Sequence, residues 1–411
     1  VPDLLTPPRR RAAAAPPRDV RGVVAPATLV RLSLALAAVC AAEFAVPVPG
    51  SPWARLPLLG LALLLAPVDA LPALMVFTAR DGAPVLGALN PADVVGLVYL
   101  ARIAAGRRLS GLRITRSRVL LAAFLGWSAL VTVIGVGVLT AIPRIALYAA
   151  VGTVLAHRAR GRRWLYAGVV GYALVEIVLH LPAVPARLWG HFIGDPAQAG
   201  ALFVAALAVV VGSRPPRPAV RAVLVAALLA GVAMTLTRSV WFAAIIVLVC
   251  AFLPRRRYLP VLLPPVAAAA ALPLVPAINR VFGLSDSSAD VRLMSIESGL
   301  REFAERPLTG HGWAFDSAVR AAGLVGFEGE LVYNLWLFIG VSAGLVGIVL
   351  FGAFIVSLSR EVLHAPAAYL SLAALLAMSL TEMPLYGLSL PGMLFFLLTP
   401  GCAGDGGTSR R

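Results

Sequence analysis

Apolar stretches recur from position 27 to position 399, separated by short polar connections and one long polar interruption. Those that approach the roughly 20 residues needed to cross a bilayer fall at 27–46, 56–78, 119–138, 142–156, 164–181, 198–212, 220–236, 239–253, 259–278, 332–358, 367–380 and 385–398. Lipid offers the backbone no hydrogen-bond partners, so such stretches must be helical. The expected fold is all-α: a polytopic transmembrane helical bundle of about 12 spans, with one extracytoplasmic loop at 279–331. The stretch 91–105 is also apolar enough to cross, yet the sides cannot alternate if it and 56–78 both do. Either Pro67, Asp69 and Pro72 make the earlier segment re-entrant, or the later one lies along the cytoplasmic interface.

Composition agrees, with 60% hydrophobic and 13% charged residues, well outside the soluble range. In a soluble chain a net charge of +16 would point to nucleic acid. Here the arginines sit in blocks between apolar stretches: six in 102–118, four in 157–163, three in 214–221 and three at 255–257. Positive connections face the cytoplasm, so these predict cytoplasmic N- and C-termini and no nucleic-acid partner. Loop 279–331 and the turns at Thr237-Arg238 and Thr381-Glu382 then lie outside. The expected divisions are a cytoplasmic tail at 1–24, a transmembrane region at 25–278, the loop at 279–331, a second transmembrane region at 332–399 and a tail at 400–411. The chain has no lysine, so arginine identity alone says little about phosphate binding. Cys40, Cys250 and Cys402 lack metal-like spacing, and neither a cofactor nor a metal is expected.

Within the loop, Asp290 is a plausible N-cap, and Leu293, Ile296, Leu300 and Phe303 recur at helical spacing. Glu297 with Arg301 and Glu302 with Arg306 are spaced for favourable pairs. Pro307 ends this short amphipathic helix, and Gly310 and Gly312 form a tight turn after it.

Two blocks carry a family resemblance. The first is Asp290-Val-Arg292-Leu-Met-Ser-Ile-Glu-Ser-Gly-Leu300 followed by Arg306-Pro307-Leu308-Thr309-Gly310-His311-Gly312-Trp313. The second is Tyr333-Asn334-Leu335-Trp336-Leu337, running on to Gly344-Leu345-Val346-Gly347, and Thr235-Leu236-Thr237-Arg238 precedes both. Together they resemble the O-antigen ligase and O-antigen polymerase superfamily of bacterial membrane glycosyltransferases: its arginine-led helix, Pro-Leu-x-Gly-x-Gly turn, His-Asn-x-Tyr-Leu run and Ser-x-Ser-Arg element. Tyr333 stands where family ligases place a catalytic histidine, and Ser342 where they place a glutamate. A polymerase-like or otherwise diverged member fits as well as a ligase.

The resemblance implies a cell-membrane enzyme of polysaccharide synthesis that transfers glycan from a polyprenyl-diphosphate-linked donor to a glycan or lipid acceptor. Negative charge grows on the departing diphosphate, and fixed guanidinium groups stabilise it without a metal. Arg238 and Arg292 suit that task, with Arg144 a weaker candidate, although arginines at helix ends also simply snorkel to the interface. An acceptor hydroxyl must lose a proton. His311 is the histidine of the matched blocks, and Tyr333 holds the family base position, where a phenol is better suited to binding sugar. Asn334 completes the catalytic candidates. Glu328, Glu330, Glu382, the Glu176–His180 pair and the tryptophans Trp313 and Trp336 are secondary ones. The rival classes are a transporter or flippase, and a non-catalytic membrane scaffold.

Overall fold

A computed structural model describes residues 27, 30, 31, 33–35, 37, 38, 52–79, 89–106, 114–135, 139, 141–184, 186–190, 193–213, 217–271, 287–313, 334–380 and 390–399. The described residues contain helices and no strand. In chain order they are α1 (Pro52–Leu65), a 3-10 turn (Val68–Ala70), α2 (Leu71–Phe77), α3 (Pro91–Ala105), α4 (Arg116–Ile134) and α5 (Ala141–Ala156). Then come α6 (Ala159–His180), a second 3-10 turn (Leu181–Ala183), α7 (Pro196–Gly212), α8 (Pro218–Met234), α9 (Arg238–Phe252) and α10 (Leu259–Ala271). The last four are α11 (Ser287–Glu305), α12 (Leu335–Glu361), α13 (Pro366–Met378) and α14 (Leu390–Leu398). Three are each long and apolar enough to cross a membrane: α4, α6 with the turn after it, and α12. The bent pair α1–α2 makes a fourth if it counts as one span, and shorter apolar helices fill the spaces between them.

The bundle has a basic end and a far end. At the basic end the Glu361 carboxylate accepts from Ser117 N (3.1 Å) and Ser117 Oγ (2.7 Å), joining the C-terminus of α12 to the start of α4. Negative charge is favoured at a helix N-terminus. Arg158 pairs with Asp69 at 2.8 Å, and Arg221 Nη2 donates to Val211 O at 2.6 Å. Tyr369 on α13 donates to the Arg256 carbonyl, and Arg360 binds the Tyr258 hydroxyl and its ring face. These contacts place the arginines 116–118, 158–163, 221, 255–257 and 360 on one level. At the far end α8 hands over to α9, α13 ends beside the start of α12, and α4 ends beside the turn 307–313.

The segments 56–78 and 91–105 are built differently. The earlier segment is not one helix, since the chain breaks at Ala66-Pro67 and bends by 119°. Proline cannot supply the N–H that a continuous helix would need there. The break lies at the basic end, where Arg102 Nη1 donates to Ala66 O at 2.9 Å. From it α2 runs back beside α6, with Ala73 under Gly168 and Phe77 against Tyr172 at 5.1 Å. On α3, Asp93, Val95, Tyr99 and Ile103 are buried, so this helix packs within the bundle.

The expected loop helix forms as α11, but it starts at Ser287, ahead of the proposed Asp290 cap. The face packed on α12 also differs from the expected one. Ser295 and Gly299 are buried and Phe303 lies against Gly340, whereas Leu300 is 53% exposed. Small residues permit a closer approach to α12 than leucines would. Neither expected Glu–Arg pair forms among the described residues. Arg306 lies just past the end of α11, so its spacing to Glu302 is no longer helical.

Candidate functional site

Two constructions occupy the far end. In the first, the turn 307–313 is inserted into a break in α12. Gly344 has φ 67° and ψ −169°, far from helical, and the break diverts the carbonyls that precede it from their usual partners four residues on. Other donors replace those partners. Val341 O accepts from His311 N (2.7 Å) and Ser342 O from Gly312 N (2.9 Å). Ala343 O accepts from the indole Nε1 of Trp127 on α4 at 2.8 Å. In return, Leu345 N donates to Pro307 O at 2.7 Å. Non-helical backbone at membrane depth persists where protein satisfies it, and here the chain's own turn does so.

The glycines of both sequence blocks are explained by this joint. A Cβ on Gly344 would stand 2.2 Å from Leu308 O, and one on Gly310 would stand 2.6 Å from three backbone atoms of 341–343. Both residues carry positive φ, a conformation that glycine adopts without strain. At Ser342, where the family has a glutamate, it is the backbone that takes part in the joint.

Asn334 caps α12. Its Oδ1 accepts from Leu337 N (3.0 Å), its Nδ2 donates to Leu380 O (2.9 Å), and Leu335 N donates to Ser379 O (3.0 Å). One amide therefore ties the start of α12 to the end of α13. We expect Asn334→Ala to lower stability by about 2 kcal/mol, a lost cap plus a lost hydrogen bond. Asn334→Asp keeps the cap acceptor but not the donor to Leu380, and should recover about half of the loss; thermal unfolding in detergent measures both.

The second construction is the turn between α8 and α9. Leu236 is a non-glycine residue with φ 49°, and such a conformation costs about 1–2 kcal/mol. Thr235 Oγ1 donates to Val232 O (2.7 Å), and Thr237 Oγ1 donates to Thr235 O (3.0 Å). From the neighbouring segment Arg187 clamps the same turn, with Nε to Thr235 O at 2.9 Å and Nη2 to Thr237 Oγ1 at 3.1 Å. Its guanidinium also lies over the Trp189 ring. The two threonine hydroxyls are thus parts of the turn, and the turn delivers half-buried Arg238 as the first residue of α9. A helix N-terminus already favours anions, and Arg238 adds a full positive charge there.

The remaining candidates divide as follows. Arg292 lies on α11. Tyr333, Glu328, Glu330, Glu382, Cys40 and Cys402 fall outside the described residues. The His311 side chain is 9% exposed, with Nε2 2.9 Å from Glu302 O. Arg144 is bound to Asp93 at 2.8 Å, and the fully buried Asp93 also takes the Tyr148 hydroxyl at 2.7 Å. That cluster ties α3 to α5 and gives Arg144 a packing role. The Glu176–His180 pair does not form: Glu176 is buried beneath Gly190, whereas His180 is half-buried and its Nε2 meets Ala186 O at 2.9 Å. Trp313 is buried edge-on against Phe338, so its ring is no open platform for sugar, whereas half-buried Trp336 packs on Phe351 and lines a pocket with Val261, Pro264, Pro265, Leu376 and Leu380.

Sequence reasoning passed over Arg187. A signal was present, because arginine is depleted on connections opposite the basic side, and Arg187 sits on one of them.

Residues 222–352 match the family model described as O-antigen ligase, which supports membership of the chain in the O-antigen ligase superfamily. The matched segment runs from α8 into α12 and holds Arg238, Arg292, His311, Tyr333 and Asn334. With three helices long and apolar enough to cross a membrane, the chain has the make-up of a membrane protein, and its segment 222–352 is what resembles the O-antigen ligase family. No curated protein matches the chain.

Proposed function

We propose that the far end of the bundle faces outward and that the protein there transfers glycan from a polyprenyl-diphosphate-linked donor, either polymerising it or ligating it to an acceptor. The observation that carries this reading is the clamped turn at 235–238, which sets Arg238 as the first residue of a helix opposite the arginine-rich end. Negative charge that develops on a leaving diphosphate is stabilised most by donors already fixed in place. Arg292 on α11 supplies a second guanidinium to the same phosphates, and Tyr333 binds sugar beside Asn334 at the start of α12. The proposed topology has about a dozen spans, both termini inside and 279–331 outside.

A transporter fits less well. Transporters leave the backbone of a broken helix open to line the cargo site, whereas the break in α12 is filled by the chain's own turn.

The test is to incubate purified protein with a labelled polyprenyl-diphosphate glycan and an acceptor glycan. A new glycosidic product supports the reading. Its absence, with movement of the donor across vesicles instead, would replace it with a flippase. Arg187→Ala should lower transfer about ten-fold, because the loss of roughly 1.4 kcal/mol of hydrogen bonding frees the strained turn to relax. Arg187→Lys should not rescue it, since an ammonium cannot reproduce the two-pronged contact. For the topology, Ser317→Cys should react with an impermeant thiol reagent added outside intact cells.

A further inference from the structure

We propose that Glu302, Glu305 and His311 form a binding site for one divalent transition-metal cation, of the Zn2+ or Mn2+ class, that locks the end of α11 to the joint in α12. The inference stands apart from the transfer reaction.

One ligand atom from each of the three residues lies within 4.8 Å of the others. Donors around a tetrahedral ion with bonds of about 2.0–2.2 Å stand about 3.3–3.6 Å apart, so side-chain rotations of about an ångström close the site. The His311 backbone is held from two sides, by its N–H on Val341 O and by the close approach of its carbonyl to Gly135. Its Nε2 lies 3.8 Å from Glu302 Oε2 and 2.9 Å from Glu302 O. With the proton on Nδ1, Nε2 is the ligand and the carbonyl oxygen joins it.

An independent observation concerns charge. Arg301 and Arg306 are neighbours in sequence, yet among the described residues neither Glu302 nor Glu305 forms an ion pair with an arginine. Two carboxylates instead converge on one another and on an imidazole. Without a cation their repulsion opposes that arrangement, and a divalent ion reverses it. The mixed nitrogen and carboxylate donor set selects transition metals over Mg2+ and Ca2+, which prefer all-oxygen sites.

The experiment uses full-length protein in detergent, freed of any affinity tag and stripped with chelator, then dialysed against Zn2+ alone. The expected result is about one ion per chain, with Mn2+ competing and Mg2+ and Ca2+ not competing. Glu305 is exposed, so Glu305→Gln should fold normally and bind at least about ten-fold more weakly. His311→Asn should lose binding altogether. Absence of stoichiometric Zn2+, wild-type binding by Glu305→Gln, or equal displacement by Mg2+ would each overturn the site. Because the readout is bound metal, failure here leaves the transfer reaction untouched, and failure of transfer leaves the site untouched.

Discussion

Arg238→Ala should abolish glycan transfer, by at least about 100-fold, while leaving the protein folded. The magnitude is that of removing a fixed donor from a site of developing charge, about 2.7–4 kcal/mol of transition-state stabilisation. The folded state should survive because Arg238 is half-buried at a helix end, and the turn beneath it is held by Thr235, Thr237 and Arg187. Arg238→Lys restores charge without the planar fork and should fall between the two. Initial rates with a lipid-diphosphate donor measure the effect, and unchanged thermal unfolding confirms that it is chemical. An alanine variant with wild-type rate would remove Arg238 from the site and leave the helix-end charge as an interfacial anchor.

The largest structural effect is expected from Gly344→Ala. Alanine at φ 67° costs about 1–2 kcal/mol in backbone strain, and its Cβ would meet the Leu308 carbonyl at 2.2 Å. The opponent is backbone, so no side-chain rotation relieves the clash. Withdrawal of the turn would relieve it, but then the Val341, Ser342 and Ala343 carbonyls lose the arrangement that serves them, each unserved group costing about 1–3 kcal/mol. A total above roughly 4 kcal/mol is enough to unfold many proteins. We expect greatly reduced yield of folded protein, or a straightened α12 with α11 loosened, so that trypsin cuts after Arg301. Gly126→Ala on α4 is the control. Nothing lies within 4 Å of that Cβ, and alanine improves helix propensity there by about 1 kcal/mol.

Much of the fold was legible because lipid imposes a simple rule, an apolar stretch of sufficient length for each helix. The positions of α4 to α10, α12 and α13 follow hydropathy directly, and the arginine blocks mark the level at which they end. The bend at Ala66-Pro67 was legible only as a conflict, since a proline tells where a helix stops and not which way the chain then turns. The site was legible in part. Motif spacing pointed to the glycines of the joint, but their purpose depends on contacts between Leu308–Gly312 and Val341–Leu345 that no local pattern encodes. The Glu–Arg pairs on α11 failed for a related reason: spacing of four offers a contact, and tertiary surroundings decide whether it is taken. Glu302 faces His311 from the turn that follows it. Arg187 escaped because the motif begins at Thr235, two helices further along the chain.

The joint also sets an order of assembly. Residues 307–313 leave the ribosome before 335–361, so the turn is made before the helix break that receives it exists. Until α12 enters the bilayer, the His311 and Gly312 amides have water as their available partner, and they cannot sink into lipid alone. Closure of the joint is therefore a late event in biogenesis. A chain truncated just before α12 should hold its first ten helices in the membrane while its glycine turn stays at the surface, open to protease.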